Sequence, residues 1–278
     1  MLYAKHLQKT TNFYILLLKG KAIMYFAIHS GKKILTVTAT VLAIILSILA
    51  VHKTGAYAVF SGSNLRILPI YRVQTDERKV AISFDCAWGT DYTDKLLDIM
   101  AEEKIKCTFF MVEFWTKKHP DYVKKIFDLG HEIGTHSATH PYMSRLSKKA
   151  IEKELNTSCV AIENITGKKV EVFRAPYGDY NDLLINTAKE LGLYTIQWDV
   201  DSLDWKDLSA KEIENRVTTR VKNGSIVLFH NQGLHTADAL QSIIKNLKAK
   251  GYSFVSIGEL IYRENFYMLP DGAQAKNS

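Results

Sequence analysis

Five groups of polar residues, each placed directly after a short apolar segment, could together carry out hydrolysis. A carboxylate can act as a general base, two histidines can bind one divalent metal ion, and a histidine beside a carboxylate can act as a general acid. Taken singly, each group also fits an ordinary role, such as a helix cap, a turn or a surface ion pair. Their succession along the chain favours one catalytic site. The groups are Asp85, the pair His136 and His140, Arg174, Asp204 with Trp205, and His230.

The two histidines of the segment HSATH stand four positions apart, at 136 and 140. This spacing predicts a helical turn with both rings on one face, where they can reach one metal ion. The pair alone is a weak signal. Its position directly after a predicted strand strengthens the metal-site hypothesis.

Arg174 begins the segment RAPYG. An arginine at a strand end is placed to bind a carboxylate through paired hydrogen bonds. Pro176 and Gly178 predict a tight turn whose backbone amide can point into the site.

A run of acids follows the next predicted strand, with Asp199, Asp201 and Asp204 close to Trp205. This run suits a calcium loop or a set of carboxylates that position catalytic groups. It lacks the glycine and the distal glutamate of an EF-hand loop, and calcium is therefore disfavoured.

Strands and helices alternate in the segments that must position these groups. The predicted strands are 80–84, 107–112, 131–135, 170–173, 194–198, 225–229 and 253–255. The predicted helices are 91–103, 120–129, 147–165, 182–191, 209–222 and 237–250. Repeated β–α order predicts an α/β fold with a parallel sheet and outer helices. About seven such units predict a small, distorted (β/α) barrel, closed or nearly closed.

The N-terminal part is typical of an export segment. Residues 34–51 carry no charge, and Lys32 and Lys33 precede them. This pattern predicts a membrane segment with the C-terminal body outside the cell, either retained as a single-pass anchor or cleaved after Ala58. A second possible start, Met24, opens a normal short leader.

The basic excess does not indicate a nucleic-acid partner. The net charge is +7, but residues 1–33 hold six lysines and no acid, so the remainder is nearly neutral.

We divide the chain into an N-terminal segment at 1–58, a linker at 59–78, a catalytic domain at 79–262 and a polar tail at 263–278. The three cysteines are predicted to form no intrachain disulfide.

Five motifs in this order resemble those of the polysaccharide deacetylases, the NodB-homology domain of carbohydrate esterase family 4. They are SFDCAWG, HSATH, RAPYG, DSLDW and LFH, and the resemblance covers roughly residues 79–262. It implies a distorted (β/α) barrel, one divalent metal ion, with zinc preferred, and removal of N-acetyl groups from a cell-wall glycan. The FDCAWG stretch resembles the sporulation-linked branch of that family.

The resemblance assigns the metal and base half of the site as follows. His136 and His140 would bind the metal. Asp85 would be the general base, and Arg174 would orient it and keep it ionised. The backbone amide of Tyr177 would help to stabilise the oxyanion.

The acid half is assigned in the same way. His230 would protonate the leaving amine, and Asp204 would orient it and stabilise its charge. Trp205 and Leu228 would line the pocket for the acetyl methyl group.

One departure from the family pattern concerns the metal. Where the family usually has a second aspartate as the third ligand, this chain has Cys86. The cysteine could bind zinc as a thiolate, point away while water completes the site, or leave metal binding weakened. The alternatives to a deacetylase are a weakened or inactive glycan-binding member of the fold and an O-acetyl xylan esterase. The exact sugar and the oligomeric state are left open.

Overall fold

The computed structural model describes residues 13–18, 21–26, 39–47 and 66–277. The chain divides into two compact units, Met1–Leu65 and Arg66–Ser278. In the first unit, strands β1 (Phe13–Leu18) and β2 (Lys21–Phe26) form an antiparallel pair. Helix α1 covers residues 39–47.

The predicted membrane segment at 34–51 is described only in its central part, the nine-residue helix α1. Within the described ranges of the chain, no helix combines the length and the apolar character needed to cross a bilayer. Lys32, Lys33 and the possible cleavage site after Ala58 lie outside the described residues. The membrane segment therefore stays a prediction.

The second unit is built from short strands and outer helices. Its strands are β3 (Arg72–Val73), β4 (Lys79–Cys86), β5 (Thr108–Met111), β6 (Glu132–Thr135), β7 (Val172–Phe173), β8 (Tyr194–Thr195), β9 (Val200–Asp201), β10 (Ser225–His230), β11 (Ser253–Phe254), β12 (Phe266–Met268) and β13 (Ala273–Lys276). Its helices are α2 (Thr93–Glu102), α3 (Glu113–Lys118), α4 (Pro120–Asp128), α5 (Lys148–Thr166), α6 (Asp182–Glu190), α7 (Ala210–Arg220), α8 (Thr236–Ala249) and α9 (Ile257–Leu260).

A curled, mostly parallel sheet forms the centre of this unit. Strands β10, β4, β5, β6, β7 and β8 are parallel neighbours in that order. The segment 70–73 lies between the two ends of this series, because Ile70 bridges Ile196 beyond β8 and Arg72 pairs with Ser225 of β10. The sheet thus curls back on itself, as the predicted distorted barrel requires.

Strand β4 shows how the sequence separates the two faces of the sheet. Val80, Ile82 and Phe84 belong to the larger hydrophobic core, whereas Ala81 belongs to a second, smaller one. Successive side chains of a strand point to opposite faces. Asp85 therefore shares the face of Ala81, on the inside of the curled sheet.

All seven predicted strands are present, and the six predicted helices differ from the structure by only a few residues at their ends. Ser147 caps α5 by accepting a hydrogen bond from the Ala150 amide, and Gly167 ends the helix with φ of 67°. These are the positions where a capping serine and a left-handed glycine favour the boundaries of a helix.

The structure differs from the predicted linker and tail. Residues from Arg66 onward belong to the second unit, with Ile70 and Val73 buried. Residues 263–278 contain β12 and β13. The buried Gln274 side chain accepts a hydrogen bond from the Tyr262 amide and donates one to the Tyr262 carbonyl. Backbone pairing, to which hydrophobic patterning gives little clue, holds both segments in place.

Candidate active site

The site lies where the parallel strands end. His230 and Asp85 are paired in register as the last pair of β10 and β4. His136 and Arg174 follow directly after β6 and β7. Because parallel strands end at the same edge of a sheet, four separate chain segments meet here.

Asp85 and Arg174 form a buried ion pair. An Arg174 Nη1 atom donates to Asp85 Oδ1 at 2.8 Å, and the arginine side chain is fully buried. Its Nη2 atom donates to Ser83 Oγ at 2.8 Å and to the Gln197 carbonyl at 3.2 Å. This fork holds the guanidinium, and through it the carboxylate, in one orientation.

The pair keeps Asp85 ionised. Burial by itself would raise the pKa of this carboxyl, but the charge and hydrogen bond of Arg174, together with the charge of His230, outweigh it. The pKa of Asp85 is therefore below its ordinary value. Ser83 was not predicted as part of the site. The period of two along β4 could have found it, because Ser83 shares a face with Asp85.

His136 is oriented as metal-binding histidines are. Its Nδ1 atom lies 2.8 Å from the Arg174 carbonyl, which can only accept a hydrogen bond. The proton therefore sits on Nδ1, and Nε2 keeps its lone pair, 3.5 Å from Asp85 Oδ2. Burial lowers the pKa of His136 to about 4, which keeps the ring neutral and able to bind a metal.

His140 reaches the site from an irregular loop, and the predicted helical turn at 136–140 is wrong. Ser137 and His140 have φ of 73° and 59°, the left-handed region that a right-handed helix excludes. Glu154 of α5 fixes the loop by accepting hydrogen bonds from the amides of Ala138 and Thr139 at 2.9 and 2.8 Å. The two histidine rings still come together, with centroids 5.0 Å apart.

The two imidazoles fit a divalent metal ion. Burial lowers the pKa of His140 as well, and its Nδ1 atom is buried without a hydrogen-bond partner in the described part of the chain. Both rings are thus neutral nitrogen donors, the type that zinc accepts. No cluster of three or more His, Cys, Asp or Glu side chains suited to a metal is found among the described residues.

Cys86 does not join the histidines. It is fully buried and belongs to the larger core, with Val80, Ile82 and Phe84, on the face opposite to Asp85. Burial, followed by the charge of Asp85, raises the pKa of the Cys86 thiol well above its ordinary value. Of the three alternatives, the structure therefore disfavours the thiolate ligand and leaves the other two as predictions. All three cysteines are free.

His230 is held by Asp204. Asp204 Oδ1 lies 2.8 Å from His230 Nδ1, and Asp204 Oδ2 accepts a hydrogen bond from the His230 amide at 2.8 Å. Thr236 at the start of α8 also donates to Oδ2 at 2.7 Å. The carboxylate is fully buried and satisfied at both oxygens. Thr236 was not predicted, and its sequence position carries no signal.

Asp204 also sets the protonation of His230. Burial alone would lower the pKa of this ring, but the hydrogen bond and charge of Asp204, with the charges of Asp85 and Asp201, raise it above its ordinary value. His230 is therefore held as a proton donor, and Asp85, the residue paired with it across the strands, as a proton acceptor.

The RAPYG segment forms the expected tight turn, a single 3₁₀ turn at Pro176–Gly178. Tyr177 has φ of 60°, a strained conformation for a residue other than glycine, and strain of this kind concentrates at functional sites. Its side chain is exposed and its ring lies 4.6 Å from that of His140. The role of its amide stays a prediction.

The two predicted pocket residues differ in exposure. Leu228 is buried and pairs with Ser83, so it shares the inner face with His230. Trp205 is exposed, and the Lys206 ammonium lies 4.9 Å from the centre of its ring. A shared acetyl pocket stays a prediction.

Two exposed aromatic residues beside the site were missed. The Trp88 ring lies 6.2 Å from that of His140, and the Tyr142 ring stacks on that of Tyr177 at 4.4 Å. Trp88 lies within the SFDCAWG motif and Tyr142 stands two positions after HSATH, and this proximity could have found them.

Comparison with known proteins identifies the family of this fold. The family model described as polysaccharide deacetylase matches residues 72–196. A peptidoglycan-N-acetylglucosamine deacetylase of Bacillus cereus is 36% identical over 196 residues, which cover 69% of this chain and 92% of the relative. The uncharacterized protein YlxY of Bacillus subtilis is 35% identical over 193 residues, which are 69% of this chain but only 60% of YlxY.

A solved structure agrees with these matches. BA3943 of Bacillus anthracis, described as a pseudoenzyme of carbohydrate esterase family 4, superposes with a TM-score of 0.67 at 32% identity. The match covers 76% of this chain and 73% of BA3943. A mutant of that protein is described as having restored enzymatic activity. The matches in sequence and in fold agree, and this chain belongs to the polysaccharide deacetylase family.

Proposed function

We propose that this chain is a metal-dependent hydrolase that removes N-acetyl groups from a cell-wall polysaccharide, with peptidoglycan as the substrate class. One observation carries the proposal. Asp85 and His230 are register neighbours on the paired strands β4 and β10, and each has its own buried partner that favours the protonation state the reaction needs. The named Bacillus cereus relative supports the choice of glycan.

Different residues would bind the metal, accept the proton of water and protonate the leaving nitrogen during amide hydrolysis. His136 and His140 would hold the metal ion, which when bound supplies a Lewis acid that makes water more acidic. Asp85 takes the proton of the attacking water while Arg174 keeps the carboxylate in place. His230 then gives its proton to the departing nitrogen, which leaves poorly unless it is protonated.

Separate partners explain how one site holds a base and an acid at the same pH. Arg174 stabilises the ionised form of Asp85, and Asp204 stabilises the protonated form of His230. Two titratable groups pushed apart in this way are typical of acid–base catalysis. We further propose that the chain acts outside the cytoplasm, retained by the segment at 34–51 or released after cleavage near Ala58.

The first test is acetate release by the purified full-length chain. Peptidoglycan, N-acetylglucosamine oligomers and O-acetylated xylan are compared, each with added zinc and with a chelator. We expect zinc-dependent acetate release from peptidoglycan, and Asp85→Asn should abolish it by removing the base. Asp98→Asn, the same chemical change at an exposed position of α2, is the matched control and should retain activity.

Other outcomes would redirect the assignment. Release from xylan alone would identify an O-acetyl esterase. If no substrate yields acetate with any metal and the chain holds no zinc, while it still binds peptidoglycan, the chain is a glycan-binding member of the family.

A further inference from the structure

His140 lacks the hydrogen bond that ordinarily fixes the ring of a metal-binding histidine. His136 has such a bond, because its Nδ1 atom lies 2.8 Å from the Arg174 carbonyl. The Nδ1 atom of His140 is buried without a hydrogen-bond partner among the described residues. Metal-binding histidines almost always donate their second ring proton to an oxygen acceptor, which sets the direction of the ring. Packing must therefore set the direction of the His140 ring.

The Tyr177 ring makes the shortest ring contact with His140 in the described part of the chain. The two ring centroids lie 4.6 Å apart at 77°, whereas the rings of His136 and Trp88 lie at 5.0 and 6.2 Å. This edge-to-face arrangement is one that aromatic pairs prefer. The Tyr142 ring stacks on Tyr177 at 4.4 Å. Tyr177 thus contacts two side chains of the loop that follows β6.

Hydrogen bonds hold this loop against the segment that carries Tyr177. Asp179 accepts hydrogen bonds from the Ser144 amide at 2.8 Å and from the Ser144 hydroxyl at 2.7 Å. The Asn181 side chain donates to the Ser144 carbonyl at 2.8 Å. Because both segments are tied together beside the ring contacts, Tyr177 meets His140 at a fixed place.

The backbone of Tyr177 indicates that its side chain has a role. Its φ and ψ are 60° and 8°, a left-handed conformation that glycine adopts without strain and tyrosine does not. The side chain is 59% exposed, so burial in the core does not explain a large aromatic residue here. Strained residues of this kind concentrate at functional sites. The contact with His140 gives the ring a function at this site.

We propose that the Tyr177 side chain is a positioning residue for His140, whose imidazole it holds in the orientation that binds the metal. The edge-to-face contact takes the place of the hydrogen bond that His140 lacks. The inference rests on the proposed function, because it concerns the metal of that reaction. It adds a role for the ring of a residue for which only the backbone amide was assigned one.

Zinc alone tests the proposal, because no substrate is needed. Dissociation constants are measured by titrating zinc into the metal-free full-length chain and its variants. Tyr177→Phe keeps the ring and should keep the zinc affinity. Tyr177→Asn removes the ring, while asparagine tolerates the positive φ of this position. We expect Tyr177→Asn to bind zinc about fivefold more weakly, which corresponds to about 1 kcal/mol, the size of one aromatic contact.

Two further variants separate the ring from the fold. Tyr177→Gly places at this position the residue that its backbone suits best, and it should lose zinc affinity to the same extent as Tyr177→Asn. Tyr267→Asn is the matched control. It makes the same change at an exposed tyrosine of β12, which two strands separate from β10. Its zinc affinity should equal that of the unaltered chain.

The outcomes separate this proposal from the proposed function. Equal zinc affinity in Tyr177→Asn and the unaltered chain would overturn the positioning role even if acetate is released. An equal loss in Tyr177→Phe or in Tyr267→Asn, or no zinc binding by the unaltered chain, would overturn it as well. A loss confined to the two variants without the ring, in a chain that releases no acetate, would support the positioning role and count against the deacetylase assignment.

Discussion

His230 and Asp85 lie on paired strands, yet their environments drive their protonation in opposite directions. The partner of each residue is buried, so water screens neither interaction strongly. Activity should therefore span the pH range between the lowered pKa of Asp85 and the raised pKa of His230, and decline above it as His230 loses its proton.

Replacing Asp204, the partner of the general acid His230, should narrow the pH range of activity from the alkaline side. Asp204→Asn keeps the shape of the side chain but removes the negative charge that stabilises protonated His230. The pKa of His230 should fall, and the alkaline limb of the pH–rate profile should move to lower pH with a lower maximum. An alkaline limb that stays in place would show that another group controls it.

Cys86 allows a second residue-scale prediction. Because its side chain lies in the core and its thiol is held protonated, Cys86→Ala should leave zinc affinity unchanged. The lost packing should lower the free energy of unfolding by about 1 kcal/mol. Titration with zinc checks the first point, with His140→Ala as the variant that should lose affinity. A clear loss of zinc affinity in Cys86→Ala would identify the thiol as a ligand.

The sequence predicted the candidate site residues and the main partners Arg174 and Asp204, but not the further residues that hold those partners. Asp85, Arg174 and His230 stand at strand ends within distinctive motifs. Ser83 and Thr236 are ordinary residues whose hydrogen bonds depend on tertiary contacts. Only the structure brings Thr236 to Asp204, because the two lie on separate elements.

At the scale of elements, the loop that carries the histidine pair depends on a neighbouring helix. The Glu154 carboxylate of α5 accepts hydrogen bonds from two backbone amides and from the Thr139 hydroxyl, at 2.8 to 2.9 Å. These bonds stabilise a backbone that includes two residues with positive φ. The spacing of the histidines correctly predicted that their rings meet, but not the conformation that brings them together.

Removing this support should weaken metal binding. Glu154→Ala takes away three hydrogen bonds, so His140 should lose its fixed position and zinc affinity should fall about tenfold or more, as for other supporting contacts around metal sites. Glu152→Ala, a neighbour on the same helix, serves as control. If both variants bind zinc like the unaltered chain, the loop holds its shape without α5.

At the scale of the molecule, the strand and helix order was predictable because each element carries its own pattern and its own boundary residues. The extent of the second unit could not be predicted from the sequence. Strands β3, β12 and β13 are short, and their place in the sheet depends on backbone hydrogen bonds to distant segments. Local hydrophobic periodicity carries little of that information.

A buried histidine outside the active site gives a prediction for stability. His131 accepts a hydrogen bond from the Cys107 amide at 3.2 Å, and burial lowers its pKa to about 4 from 6.5. The folded chain therefore holds this ring neutral where the unfolded chain would protonate it. Its contribution to stability is complete above pH 6.5 and is lost as the pH falls toward 4, by about 1.4 kcal/mol per pH unit.

Comparison with His131→Gln isolates this effect, because the raised pKa values of Glu132 and Asp199 oppose it in both proteins. Urea unfolding between pH 4 and 6.5 should show a steeper rise of stability with pH in the unaltered chain. Parallel curves would mean that His131 titrates normally in the folded state.

The pairing of β3 with β13 has a consequence for synthesis. Arg72 and Ala273 are neighbours in the sheet although nearly the whole unit lies between them in sequence. A growing chain therefore displays the open side of β3 until β13 has emerged, and an open strand edge can pair with another molecule. Slow production of this protein should favour aggregation more than slow refolding of the complete chain, where both strands are available from the start.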